Sequence, residues 1–267
     1  MAGLEENLRA VRARVVAAAR AAGRDPSAVH LLAVSKTWPA ADVRALSALG
    51  QLDFGENRAQ ELLEKAAELT GVPVRWHFVG QLQRNKAAAV ARLGAVVHSV
   101  DRASLAGVLD RVGQERGERG LAPVEAFVQV DLGGEAGEAA ARGGARPDDV
   151  PALADLLAGA PGLRLRGLMA VAPRGEEPRA AFDRLAALAD RVRADHPEAV
   201  DLSAGMSGDL EAAVAAGATL VRVGTAIFGD RPLPCDEIRT HQPHESHRSP
   251  GPREHPAGPA DRTQKRR

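Results

Sequence analysis

The sequence predicts an α/β protein, a (β/α)8 barrel of the TIM type preceded by one extra helix. Short apolar segments alternate with amphipathic ones, a pattern that predicts parallel strands joined by helical crossovers. Eight such units fit into roughly 200 residues, which favours a closed barrel over an open sheet. No G-x-G-x-x-G motif follows the first strand, so the dinucleotide signature of a doubly wound sheet is missing. The doubly wound fold remains the alternative.

The elements follow in order along the chain. The N-terminal segment predicts an amphipathic helix, because Leu4, Leu8, Val11 and Val15 form one apolar stripe. The predicted strands lie at residues 30–35, 52–54, 75–79, 96–99, 124–130, 163–169, 199–203 and 219–223. Segments with apolar residues at i, i+3 and i+4 separate them, and glycine ends the helical segments after the third and seventh strands.

The composition argues against several classes of protein. The chain has 267 residues and a formal net charge of zero, so charge gives no reason to expect nucleic acid or a membrane surface as partner. No apolar run approaches the roughly 20 residues that span a bilayer. The single cysteine, Cys235, allows no internal disulfide and fits a reducing compartment, so we expect a cytoplasmic protein.

The last 35 residues differ from the rest of the chain. Residues 233–267 contain six of the 17 prolines and four of the eight histidines, with almost no apolar pattern. Such a segment cannot bury enough apolar surface to offset its conformational entropy. We therefore predict a barrel domain at residues 1–232 and a disordered tail at 233–267. The histidines of this tail lack a strong ligand spacing, so no metal site is predicted.

Lys36 ends an apolar strand within the segment LLAVSKTWPA. The chain has 35 lysines and arginines but only four lysines, so it uses arginine where charge alone is needed. A desolvated lysine can lose its proton and form an imine, and arginine can do neither. Function in such a barrel collects where strands end. Lys36 is therefore a candidate nucleophile, with a surface-reaching structural lysine as the alternative.

The loops predicted after strands seven and eight are rich in small residues. The first contains Ser203, Ser207 and Gly208, and the second contains Gly224 and Thr225. Small residues let backbone N–H groups approach an anion, and barrels often bind phosphate between these two loops. Helix capping by Ser207 is the alternative. The two loops together favour a phosphate site.

Three further polar residues each allow two interpretations. Arg222 lies inside a strand, opposite in direction to its valine neighbours, and is either a buried ion-pair partner or a fixed cation facing a ligand. Asn57 either caps a helix or contacts a ligand. His77 is either a satisfied core histidine or a site residue.

An imine-forming lysine and a phosphate site on neighbouring strands suggest pyridoxal 5′-phosphate (PLP) as cofactor. A Schiff-base aldolase that acts on a phosphorylated sugar uses similar groups. The residues by themselves leave both functions open.

Five segments together resemble the pyridoxal phosphate homeostasis protein family. They read AVSKTWP, FGENRAQE, WHFVGQLQRNK, LRGLMAVAP and LSAGMSGDLEAAVAAGATLVRVGTAIFG. Members of this family are single-domain relatives of the barrel domain of alanine racemase, which is PLP fold type III. The resemblance covers residues 4–232 in order.

The resemblance implies roles for seven residues. Lys36 carries PLP covalently as an internal aldimine, Asn57 lies beside the cofactor, and Arg222 faces the pyridine nitrogen. The phosphate is held, partly through backbone N–H groups, by Ser203, Met206, Gly224 and Thr225. Three features depart from the family: Arg58 replaces a usual aromatic residue, Ala204 replaces a methionine, and the loop at 133–149 lacks a Glu-x-x-Lys-x-Gly pattern.

The favoured function is that of a PLP-binding homeostasis protein or carrier, with no catalytic residues assigned. Arg222 would discourage protonation of the pyridine nitrogen and so weaken the electron sink. Racemases of this fold use a second base, usually tyrosine, and this chain contains no tyrosine. An amino-acid racemase is the alternative function, and the aldolase is third. The resemblance implies PLP-dependent apoenzymes as candidate partners and a monomer or weak dimer.

Overall fold

Eight parallel strands close into a barrel in the computed structural model, which describes residues 2–133 and 143–229. Neighbouring strands pair in chain order, and β1 also pairs with β8. The strands are β1 His30–Val34, β2 Asp53–Glu56, β3 Arg75–Phe78, β4 Val96–Val100, β5 Val124–Val130, β6 Leu163–Ala170, β7 Asp201–Ser203 and β8 Leu220–Val223. The predicted barrel is confirmed, and pairing of the first strand with the last excludes the open doubly wound sheet.

Helices follow the strands around the outside of the barrel. They are α1 Ala2–Ala21, α2 Ala40–Ala48, α3 Ala59–Glu68, α4 Arg84–Leu93, α5 Ala103–Gly117, α6 Val150–Ala158, α7 Pro178–Asp195, α8 Leu210–Ala215 and α9 Thr225–Phe228. Short 3₁₀ turns lie at Pro26–Ala28 and Pro147–Asp149. Every predicted strand is present, with ends that differ from the prediction by at most two residues.

The extra N-terminal helix α1 packs against α8 and α9, the helices that follow the last two strands. Leu8, Val11 and Val15 are buried, as their spacing predicts. The Asn7 side chain donates a hydrogen bond to the carbonyl oxygen of Ile227 at 3.0 Å. Arg14 forms an exposed ion pair with Glu211. The helix therefore supports the two loops that the sequence singles out for phosphate binding.

The lumen of the barrel is filled differently from its outer layer. The outer layer is one large apolar core between strands and helices, whereas Val96, Phe127 and Met169 form a separate small cluster. Polar side chains that are buried among the strands include His77, His98, Ser203 and Arg222. The lumen thus combines a small apolar cluster with buried polar groups.

Two predictions lie wholly or mostly outside the described residues: the tail at 233–267 and the role of the loop at 133–149. Within residues 2–133 and 143–229, no helix has the length and apolarity that a membrane span requires. The same residues contain no group of three or more histidine, cysteine or acidic side chains that could bind a metal ion.

Candidate functional site

A cavity of about 330 Å³ opens at the C-terminal ends of the strands. Its size lies within the range of small-molecule sites. Both polar and apolar residues line it: Val34, Lys36, Trp38, Asn57, Val79, Met169, Val171, Met206, Ser207, Gly208, Arg222, Gly224, Thr225 and Gly229. This is the end of a (β/α)8 barrel at which active and binding sites occur.

Six of the seven residues that the sequence predicts for the site line this cavity. They are Lys36, Asn57, Met206, Arg222, Gly224 and Thr225. The six come from four parts of the chain, around residues 36, 57, 206 and 222–225, and closure of the barrel brings these parts together. Their roles in binding remain predictions.

Ser203 is the exception, and its role in phosphate binding stays a prediction. The residue is fully buried at the end of β7 and does not line the cavity. Its hydroxyl lies 2.8 Å from Arg222 Nη1 and 3.0 Å from His98 Nδ1, so it is hydrogen-bonded within the protein. Ser207, four residues later, does line the cavity. Ser207 is therefore a further candidate for a phosphate-binding hydroxyl.

The capping role considered for Ser207 is wrong. Helix α8 begins at Leu210, and Asp209 occupies its N-cap position. The Asp209 carboxylate accepts a hydrogen bond from the Met206 backbone N–H at 2.6 Å, which closes the loop on itself. The Ser207 hydroxyl accepts a longer bond, 3.4 Å, from the backbone N–H of Ala226. The loops after β7 and β8 thus meet at this hydroxyl.

Arg222 is a buried cation that contributes to the lining of the cavity. It is 4 % exposed and donates hydrogen bonds to Ser203 O at 2.6 Å, to Ser203 Oγ at 2.8 Å and to Ala170 O at 2.8 Å. Burial lowers its pKa to about 10, although the charge of Asp209 opposes this, so it stays protonated at neutral pH. No carboxylate among the described residues forms a salt bridge with it, which argues against the ion-pair interpretation.

The loop that carries Lys36 is fixed by groups on β2 and α3. The Ser35 hydroxyl donates to Glu56 Oε1 at 2.7 Å, and both residues are fully buried. The Thr37 backbone N–H donates to Glu61 Oε1 at 2.5 Å. Thr37 has a φ of +70°, a left-handed conformation that a β-branched residue rarely adopts. The surrounding contacts therefore impose the conformation of this loop.

Lys65 completes this support, and sequence reasoning missed it. Its ammonium is almost fully buried and donates to Ser35 O, Glu56 Oε1 and Glu61 Oε1, each at 2.7 Å. Burial raises the pKa of the Glu56 carboxyl, while the hydrogen bonds from Lys65 and Ser35 act in the opposite direction. The i, i+4 spacing of Glu61 and Lys65 was the one signal of this cluster in the sequence.

Asn57 is positioned by close packing against Gly80. A Cβ atom at residue 80 would lie 2.2 Å from the Asn57 carbonyl oxygen, so only glycine fits there. The predicted capping alternative for Asn57 is wrong, because Arg58 holds the N-cap position of α3 and its side chain makes no capping bond. Asn57 instead faces the cavity.

His77 follows the core interpretation. The ring is buried and does not line the cavity. Its Nε2 atom lies 2.9 Å from Asp53 Oδ1, and its Nδ1 atom lies 2.9 Å from His98 Nε2.

Aromatic packing supports another part of the cavity wall. The ring of Trp38, which lines the cavity, stacks on the ring of Phe228 with centroids 5.8 Å apart.

Comparison with known proteins gives consistent results. Residues 6–232 match the family model of the alanine racemase N-terminal domain. The pyridoxal phosphate homeostasis protein of Pseudomonas aeruginosa is 48 % identical over 232 residues, which cover 86 % of this chain and 97 % of that protein. The protein of the same name from Mycobacterium tuberculosis is 43 % identical over 249 residues, covering 86 % and 93 %.

Solved structures agree in fold. PipY from Synechococcus elongatus, solved with PLP bound, is 37 % identical with a TM-score of 0.73, covering 85 % of this chain and all of that one. An alanine racemase from Streptomyces coelicolor has a TM-score of 0.67 at 22 % identity, covering 85 % of this chain and 58 % of the racemase. The second likeness concerns the fold alone.

Proposed function

The chain belongs to the pyridoxal phosphate homeostasis protein family, and from that premise we propose that it binds PLP in the strand-end cavity and serves in PLP homeostasis. The observation that carries the proposal is the shared lining of one cavity by Lys36, Arg222 and the small residues of two loops. The solved relative PipY, which has PLP bound, supports it.

The residues present fit the cofactor. PLP supplies an aldehyde, to which a lysine amine can be joined covalently. Of the three lysines that the structure describes, only Lys36 lines the cavity. Ser207, Gly208, Gly224 and Thr225 offer a hydroxyl-bearing, small-residue surface of the kind that accommodates phosphate. We propose that Lys36 holds the aldehyde end and these residues hold the phosphate.

Arg222 is proposed to face the pyridine nitrogen, and this favours binding over catalysis. A permanent cation beside that nitrogen discourages its protonation, because two like charges would then adjoin. An unprotonated ring withdraws electrons less well. Since the chain has no tyrosine to act as a second base, we propose little or no turnover as a racemase.

The covalent attachment can be tested with matched lysine variants. Lys36→Ala should abolish the visible absorption of the protein with bound PLP, and borohydride treatment of the unchanged protein should label the peptide that contains Lys36. Lys86→Ala is the control, because Lys86 is an exposed lysine. Visible absorption that survives Lys36→Ala would refute the assignment. Lys65→Ala is unsuitable as a control, since Lys65 is buried beside the Lys36 loop.

The absence of turnover has its own test. Exchange of the Cα proton of alanine in deuterated buffer should be far slower than the roughly 10 per second of a typical enzyme. Exchange near that rate with loss of chirality would instead support the racemase alternative.

The homeostasis role implies recipients for the cofactor, and we propose PLP-dependent apoenzymes in the cytoplasm. Apoenzyme should regain activity from the PLP-loaded protein even when a phosphatase destroys free PLP. Recovery that the phosphatase abolishes would refute direct transfer.

We also propose that the protein is a monomer or a weak dimer. Its molar mass, measured by light scattering at several protein concentrations, checks this.

A further inference from the structure

A series of polar side chains extends from Arg222 through the barrel lumen. Ser203 Oγ lies 2.8 Å from Arg222 Nη1 and 3.0 Å from His98 Nδ1. His98 Nε2 lies 2.9 Å from His77 Nδ1, and His77 Nε2 lies 2.9 Å from Asp53 Oδ1. We call these five residues the relay. Asp53 begins β2, so the relay ends at the N-terminal end of the barrel, away from the cavity.

With both imidazoles neutral, one arrangement of hydrogens satisfies every contact. The guanidinium of Arg222 only donates, so Ser203 Oγ accepts from it, and ionised Asp53 only accepts, so His77 Nε2 carries a proton. Because a neutral imidazole has a single N–H, His77 Nδ1 accepts from His98 Nε2. His98 Nδ1 then accepts from the Ser203 hydroxyl. In every one of these hydrogen bonds, the donor lies on the Arg222 side and the acceptor on the Asp53 side.

The surroundings keep the two histidines neutral. Both are buried, and the ring of His98 stacks on Phe127 with centroids 4.3 Å apart. Burial lowers the pKa of His98 well below its usual value, and the charges of neighbouring cations, Arg222 among them, lower it further. Burial also lowers the pKa of His77, although the hydrogen bond to Asp53 opposes this.

Asp53 supplies the charge at the far end. Burial raises the pKa of its carboxyl, but the hydrogen bond from His77 and nearby positive charge outweigh burial, so the pKa lies below its usual value. The other charged groups at this end pair mainly with one another: Arg75 with Glu125, and Arg166 with both Glu125 and Asp201. A second cavity of about 200 Å³ at this end is bordered by charged and imidazole side chains: Arg75, Arg166, Asp201, His30, Asp53 and His77.

We propose that the relay positions Arg222 for the cofactor. Through the relay, the carboxylate of Asp53, which lies outside the ligand cavity, fixes the orientation of the Arg222 guanidinium and the positive charge that it presents to the pyridine ring. Hydrogen bonds that all point one way polarise one another and strengthen the series. Asp53, His77, His98 and Ser203 are positioning residues that do not line the cavity. This inference rests on the proposed function.

The arrangement of protons can be read without the cofactor. A long-range nitrogen–proton NMR spectrum of the full chain, with histidine rings isotope-labelled, should show His77 and His98 protonated at Nε2. Both rings should be neutral at neutral pH, and His98 should take up a proton only well below the ordinary pKa of histidine. The spectra of His77→Gln and His98→Gln assign the signals. A proton on Nδ1 of either ring at neutral pH, or titration of His98 near its ordinary pKa, would overturn the relay.

The effect on the cofactor is tested with Asp53→Asn, which keeps an acceptor oxygen but removes the charge. Glu125→Gln is the matched control, since Glu125 is a partly buried carboxylate at the same end of the barrel. Asp53→Asn should weaken PLP and phosphate-free pyridoxal equally, by up to about tenfold, and change the absorption spectrum of bound PLP. Glu125→Gln should change neither.

The outcomes separate the two proposals. If the unchanged chain fails to bind PLP, the proposed function fails. If it binds PLP normally and Asp53→Asn behaves like Glu125→Gln in affinity and spectrum, the relay has no positioning role and the inference is overturned.

Discussion

Lys65 Nζ lies 2.7 Å from the carbonyl oxygen of Ser35, so a buried cation on α3 is bonded to the residue that precedes Lys36. The same ammonium contacts the carboxylates of Glu56 and Glu61 at 2.7 Å each. The three donors of the ammonium therefore have three acceptors. Through this one group, the loop that carries Lys36 is tied to both β2 and α3.

Replacing Lys65 should cost stability and cofactor binding together. Lys65→Met leaves the Glu56 carboxylate buried without its cation, a change that typically destabilises a protein by about 3–5 kcal/mol. Urea unfolding measures this loss, and PLP titration should show weakened binding because the loop is released. Lys86→Met, on the exposed face of α4, should alter neither quantity. An unfolding free energy within about 0.5 kcal/mol of the unchanged chain would contradict the prediction.

Much of the barrel could be predicted because its signals are local. The strand β5 is a short apolar segment and α7 has a clear apolar period, so each can be recognised without knowledge of the rest of the chain. Barrel topology then places the residue after each strand at one end. This is why Lys36, Asn57 and Thr225 could be assigned to one site.

The contacts that support the site could not be predicted in the same way. His98 and Ser203 are 105 residues apart, and no periodicity reports that their side chains meet. The different surroundings of Ser203 and Ser207 were equally hidden in the sequence. Both serines lie in one small-residue segment. Only the fold shows that the Ser203 hydroxyl contacts Arg222 and His98, whereas Ser207 lines the cavity.

Gly80→Ala should disturb the site through Asn57. The added Cβ would lie 2.2 Å from the Asn57 carbonyl oxygen, so the backbone beside the cavity must move. Overpacking of this kind typically costs about 1–3 kcal/mol, and PLP titration should show a weaker complex. Gly107→Ala is the control, because a Cβ in that position of α5 meets nothing within 4 Å. Equal PLP affinity of the two variants would show that Asn57 is not held by Gly80.

Two serine variants should separate phosphate binding from support of Arg222. Ser207→Ala should weaken PLP by about 1–3 kcal/mol, the cost of a lost hydrogen bond to a charged group, and leave phosphate-free pyridoxal unaffected. Ser203→Ala should weaken both ligands alike, because Ser203 contacts Arg222 and does not line the cavity. Titrations of each variant with both ligands measure this. A phosphate-specific loss in Ser203→Ala would instead support the phosphate-binding role that the sequence predicts for that residue.

Stability should fall as the pH drops below about 6.5, because His77 and His98 are held neutral in the folded barrel. Burial lowers the pKa of both rings, whereas the unfolded chain binds protons near the ordinary value of about 6.5. The contribution is therefore complete above that pH and is lost as the pH falls. Each ring adds a slope of up to about 1.4 kcal/mol per pH unit. Urea unfolding at a series of pH values measures the sum.

A single-histidine comparison assigns that slope to the lumen. His77→Gln removes one of the two titrating rings, so the dependence of its unfolding free energy on pH should be shallower, even though the variant is less stable at every pH. His30→Gln, which changes an exposed histidine at the start of β1, is the control. Equal slopes for the two variants would show that His77 takes up protons in the folded state. In that case its ring would be charged beside Asp53, and the hydrogen bonds between the two histidines would run in the opposite direction.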